Sequence, residues 1–142
     1  MAARRAPVIV VDTNVTAYLW LPGDLTTAAE RLLQDDADWA VPLLWRSEFR
    51  SVLAGAVKRK VCGLERALAI ARAAEEQLTG REFAVETGEI LRLAGESGCS
   101  AYDCEFVALA RVLGVALVSN DREVLKAFPA VAVPLQTYAN RT

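Results

Sequence analysis

Two short apolar runs, Val8-Ile9-Val10-Val11 and Val115-Ala116-Leu117-Val118, each meet an acid at their carboxyl end. Asp12 follows the first directly, and Asp121 follows the second after Ser119 and Asn120. An aliphatic run without polar alternation has no wet face. It reads as a strand covered on both sides, the environment of a parallel sheet packed between helices.

The rest of the chain alternates in the same sense. A helix is predicted from Val15 through Leu21, stopped by Pro22-Gly23. Thr27 and Glu30 have capping-box spacing and predict a second helix to about Asp35. Trp39-Ala40-Val41 reads as a strand. Leu44 to about Arg59 reads as a helix with Trp45, Phe49, Val52, Leu53 and Ala56 on one face. After Gly63 come a helix from Leu64 to about Leu78, a strand at Phe83-Ala84-Val85 and a helix from Thr87 to Gly95. Ser100 and Asp103 are spaced as another capping box, for a helix that ends near Leu113 with Gly114 as its stop. The run Val115 to Val118 is a strand, Arg122 to Ala127 a short helix, and Val131 to Val133 a last strand. This order predicts an α/β fold of three layers, α/β/α, around a central parallel sheet of about four to five strands.

No linker, repeat or low-complexity segment interrupts the pattern. A length of 142 residues with 54% hydrophobic content suits one domain, residues 1–142, with one core. No apolar run approaches the ~18 residues needed to cross a bilayer. Arg4-Arg5 before Val8 has the flavour of a signal peptide, but Asp12 ends the apolar run too soon. A soluble, cytoplasmic protein is expected.

Four acids invite a chemical reading. Glu48 has Leu44 and Trp45 one turn before it and Val52 one turn after, and so shares their inward face. Asp103 is followed by Phe106, Val107 and Ala110 at helical spacing. Asp12 and Asp121 lie beyond strand ends, where ligands of parallel α/β folds sit. Each has a plain alternative: Glu48 paired with Arg46 or Arg50, Asp103 in the capping box, Asp121 as the N-cap of the helix at Arg122, Asp12 as a turn former. Together they predict a cluster. Two carboxylates ~5 Å apart at an effective dielectric near 20 repel by roughly 3 kcal/mol. A shared divalent cation removes that penalty, and Mg²⁺ or Mn²⁺ suits a site of oxygens without imidazole.

The chain has no histidine. Ser-His-Asp and Cys-His hydrolases and His-based zinc sites are thereby excluded. Its three cysteines, Cys62, Cys99 and Cys104, form no CxxC and read as reduced thiols. A net charge of −2 is not that of a general nucleic-acid binder. Local basic groups remain: Arg46 with Arg50, Lys58-Arg59-Lys60, and Arg122 with Lys126. Solvated helix faces are their plain alternative.

The segments Val10-Val11-Asp12-Thr13-Asn14, Ser47-Glu48, Ser100-Ala101-Tyr102-Asp103-Cys104 leading to Ala108-Leu109-Ala110, and Leu117-Val118-Ser119-Asn120-Asp121 resemble, in type, order and spacing, the PIN domain family. Within it they are similar to the VapC toxins of bacterial toxin–antitoxin pairs. The resemblance covers nearly the whole chain. Cys104 stands where such toxins commonly have Ala, and Ser119 where they often have Thr; no acid departs.

The resemblance implies an endoribonuclease dependent on Mg²⁺ or Mn²⁺ that leaves a 5′ phosphate and a 3′ hydroxyl. Asp12, Glu48, Asp103 and Asp121 would be the catalytic and metal-holding acids, with Asp12 and Asp103 as direct ligands. Asn14 and Ser119 would support them. It further implies a tRNA or ribosomal RNA substrate, a cognate antitoxin that fills the acidic cleft with an Arg, and a homodimer. Competing readings are a catalytically silent PIN-like RNA-binding or assembly module, a protein phosphorylated on Asp12, and a DNA-directed nuclease. Against the second, Asp12-Thr13-Asn14 lacks an acid two positions after Asp12.

Overall fold

The computed structural model describes residues 8–140. The elements run β1 (Val8–Val11), α1 (Thr13–Trp20), α2 (Thr26–Asp35), β2 (Asp38–Pro42), α3 (Trp45–Lys58), α4 (Leu64–Gln77), β3 (Glu82–Phe83), α5 (Thr87–Ser97), α6 (Ala101–Leu113), β4 (Leu117–Val118), α7 (Arg122–Ala127), β5 (Ala132–Val133) and α8 (Leu135–Ala139). The five strands form one sheet in the order β3-β2-β1-β4-β5, and every pairing is parallel.

β1 lies at the centre because both of its faces are apolar. Successive side chains of a strand point to opposite sides, and Ile9, Val10 and Val11 are all buried. Helices therefore cover the sheet above and below, and the fold is the three-layer α/β class. α6 is the most enclosed helix: Cys104 and Phe106 through Ala110 are buried without a break. It packs on β1, β2 and β4, and Gly114, in the left-handed conformation at φ 68°, stops it. α3 buries Trp45, Phe49, Leu53 and Ala56, one stripe at helical spacing. Trp39 and Trp45 are core residues, whereas Trp20 is half-buried and donates from Nε1 to Gln77 at 3.2 Å.

Some expected boundaries give way. α1 starts at Thr13 rather than Val15 because the Asp12 carboxylate caps it. The Thr27–Glu30 capping box does not form: Leu25 occupies the N-cap of α2, with no side-chain cap. Thr26 Oγ1 instead donates to Tyr18 O at 2.7 Å and accepts from Gly23 N at 3.0 Å, stitching the turn between α1 and α2. β3 is Glu82–Phe83, not Phe83–Val85. Its partner β2 ends at Pro42 and turns into α3, so Ala84 and Val85 have no strand to pair with. β4 and β5 are shorter than expected, and α8 is a helix of five residues that no periodicity announces.

Candidate active site

The sheet reverses its winding between β1 and β4: β2 and β3 lie on one side, β5 on the other. Such a switch opens a crevice beyond the strand ends. Asp12 N donates to Val118 O at 3.0 Å, so Asp12 and Ser119 leave the sheet side by side. There Ser119 Oγ donates to Asp12 Oδ2 at 2.7 Å and accepts from Asp121 N at 3.0 Å. Thr13 N donates to Asp12 Oδ1 at 2.8 Å. Each oxygen of Asp12 thus has one protein donor and one lone pair to spare.

Three helices bring the other acids. α3 carries Glu48, whose Oε1 accepts from Thr13 Oγ1 at 2.6 Å. α6 carries Asp103 in its first turn, where Ser100 Oγ accepts from Asp103 N at 3.0 Å. Asp121 caps α7, with Oδ1 accepting from Val124 N at 3.1 Å. The N-cap role of Asp121 is therefore real, and Ser100 caps α6 through the Asp103 N–H; both are compatible with the site, since a cap uses part of a carboxylate or only a backbone group. All four acids, with Thr13, Asn14 and Ser51, line one open cleft of about 350 Å³. Asn14 Oδ1 accepts from Asn120 N at 3.4 Å, which ties α1 to the loop after β4.

The cleft gathers four carboxylates. Among the described residues no ion pair reaches any of the four acids. Asp12, only 7% exposed, has its pKa pushed up to about 6, mainly by burial; the Ser119 and Thr13 hydrogen bonds oppose that rise, and Asp103 and Asp121 add to it. Glu48 is raised by burial, against the Thr13 bond, with Asp12, Asp103 and Glu105 adding repulsion. Asp103 is raised by burial and then by Asp121. The suggested pairing of Glu48 with Arg46 or Arg50 does not occur. Arg46 is held by Glu82 at 2.7 Å and by Glu75 at 3.3 Å, and Arg50 faces Glu75 at 4.0 Å.

Among the described residues no three acids or thiols converge closely enough to cage one ion. The four acids ring the cleft. Such a ring still matches Mg²⁺, which keeps several waters and takes one or two carboxylates directly. Asp12, with a spare lone pair on each oxygen and a raised pKa, fits that role by its donor chemistry. Thr13 is the site residue that sequence reading overlooked. Its only local signal is adjacency to Asp12; its partner Glu48 is 35 positions away.

Away from the cleft, an apolar groove of about 360 Å³ lies between α3 and α4. Leu53, Val57, Leu64 and Leu68 line it, with Arg50 and Lys58 at its edge. The three cysteines are free thiols. No described helix is long and apolar enough to cross a membrane.

The PIN domain family matches residues 9–131. Ribonuclease VapC3 from Pyrobaculum aerophilum is 28% identical over 132 residues, spanning 89% of this chain and 98% of that protein. The crystal structure of PAE2754, also from Pyrobaculum aerophilum, superposes with a TM-score of 0.73 at 20% identity, covering 94% of this chain and 88% of that one. That structural likeness bears on the fold alone.

Proposed function

The chain belongs to the PIN domain family, and on that premise we propose that it is an endoribonuclease that hydrolyses RNA phosphodiester bonds with Mg²⁺ or Mn²⁺, the toxin of a toxin–antitoxin pair. One observation carries the reading. Four carboxylates share a cleft at the switch point of the sheet, and among the described residues no ion pair offsets them. The similarity to a protein named as a ribonuclease supports it.

A bound divalent cation would supply an acidified water and offset the charge that builds on the phosphate. Asp12 and Asp103 are the residues that hold it in this reading. Asp12 is presented by Ser119 and Thr13, and Asp103 by the first turn of α6. Glu48 Oε2 has no hydrogen bond among the described residues; in this reading it would hold a water of the cation's shell, and its raised pKa suits it to take that water's proton. Asp121 orients water from the α7 side. In-line displacement leaves a 5′ phosphate and a 3′ hydroxyl. A tRNA or ribosomal RNA is the substrate class in this reading, as the family resemblance implies.

Arg46 does not serve the RNA, because Glu82 and Glu75 occupy it. In this reading the exposed side chains of Arg50 and of Arg122, which neighbours Asp121, contact phosphate. Loss of either lowers the salt dependence of RNA binding if they serve so. The antitoxin is assigned to the α3–α4 groove. The homodimer and the cytoplasmic residence belong to the same proposal.

The silent-module reading draws on the lack of a closed acidic cage among the described residues. Cation-dependent RNA cleavage that disappears in Asp12→Ala and Asp103→Ala decides between the two. Mn²⁺ binding without cleavage of any RNA establishes the silent module.

A further inference from the structure

We propose that Thr13 is a positioning residue that fixes Glu48 against Asp12; the inference rests on the nuclease reading above. Thr13 is buried at the start of α1, between the end of β1 and the flank of α3. Its backbone N–H bonds Asp12 Oδ1 at 2.8 Å while its hydroxyl bonds Glu48 Oε1 at 2.6 Å. One residue therefore holds two carboxylates from two elements. The hydroxyl bond is the one hydrogen bond that the Glu48 carboxylate makes among the described residues.

Glu48 needs such a restraint. Its side chain is long, rotatable and only half-buried, and Asp12 and Asp103 repel it. A short hydroxyl–carboxylate bond is among the stronger neutral-to-charged contacts. It leaves Oε2 as the atom presented to the cleft. Without it, repulsion turns Glu48 toward solvent.

The test compares Thr13→Val with Thr13→Ser by Mn²⁺ calorimetry, RNA cleavage and thermal melting. Removal of an outer partner of a metal-site ligand typically costs about 10- to 100-fold in affinity or activity. Thr13→Val is expected to lose that much in Mn²⁺ affinity and in cleavage, with a melting temperature close to the parent's. Thr13→Ser, which keeps the hydroxyl, restores both. In a Glu48→Ala background Thr13→Val adds no further loss, because the two act as one unit. Thr13→Ala also lacks the hydroxyl and reports the same result should the valine variant not fold. Parental Mn²⁺ affinity in Thr13→Val overturns the proposal, as does an equal loss with Glu48 already removed. Parent protein that binds Mn²⁺ but cuts no RNA defeats the nuclease reading, while the Mn²⁺ titrations still decide the role of Thr13. Parent protein that binds no Mn²⁺ overturns the proposal.

Discussion

Ser119 Oγ donates a 2.7 Å hydrogen bond to Asp12 Oδ2 across 107 positions of sequence. The bond closes the ends of β1 and β4 over the switch point and aims the most buried acid of the cleft. Ser119 is itself fully buried and also accepts from Asp121 N. Ser119→Ala thus leaves two site groups short of a partner at once. It is expected to destabilise the fold by about 1–3 kcal/mol and to lower cleavage by about 10- to 100-fold. Denaturant melts and RNA cleavage check both, and Ser119→Thr, with its hydroxyl intact, should retain most activity.

Asp12 opposes folding where it serves function. Its folded pKa, about 6, stands above the ordinary 3.8, so the native state binds this proton more tightly than the unfolded chain. Stability from this group is fully present below about pH 4 and falls as pH rises through about 6. The difference is at most roughly 3 kcal/mol. Asp12→Asn should therefore raise the melting temperature of EDTA-treated protein at pH 8 while abolishing cleavage. Mg²⁺ should stabilise the parent and not the variant. A variant that melts below the parent in EDTA contradicts this account of the site's charge.

Glu82 works in the opposite direction. The Arg46 hydrogen bonds hold its pKa below the usual carboxylate range, helped by Trp45 Nε1 at 2.6 Å. A depressed folded pKa gives stability that is present above the unfolded value of about 4.3 and lost as pH falls through the folded one. Partial exposure of Arg46 limits the coupling to about 1 kcal/mol. A double-mutant cycle of Arg46→Met and Glu82→Gln should show that coupling at pH 7 and none near pH 2. The same cycle should leave RNA affinity unchanged.

Leu68 lines the α3–α4 groove and is 46% exposed. A charge placed there blocks an apolar segment without touching the acids. Leu68→Glu should cleave RNA at the parental rate yet escape inhibition by the antitoxin. Co-purification of the variant with the antitoxin at parental affinity would place the partner elsewhere.

How much of this is legible in the sequence depends on whether the cause is local. The unbroken apolar run at Val8–Val11 needs a covered strand, so β1 follows from it, and the alternation of strands and helices along the chain gives the parallel sheet. The Ser100 and Asp121 caps and the Gly114 stop are written within three or four residues and are found where expected. Thr26 and Thr27 are both acceptable caps, and only the packing of α1 on α2 selects Thr26 as a stitch and leaves no box. The extent of β3 depends on where β2 turns away after Pro42, a matter of pairing rather than propensity. Convergence of the four acids on one cleft is foreshadowed by the strand ends that carry Asp12 and Asp121 and by the inward helix faces that carry Glu48 and Asp103. The wide ring they form, and the hydroxyl of Thr13 that joins two of them, arise from helix placement, which no spacing encodes. Arg46 is the clearest case: one turn from Arg50 it reads as half of a basic patch, but Glu82, on a strand 36 positions on, claims it.

The most direct measurement is cleavage of total cellular RNA by purified, antitoxin-free protein with Mg²⁺, with Mn²⁺ and with EDTA, beside Asp12→Ala and Asp103→Ala. Discrete fragments with 5′ phosphates that require the cation and both acids are the predicted result, and their ends identify the target. Cleavage that persists in EDTA or survives both substitutions would contradict the acidic cleft as the catalytic centre.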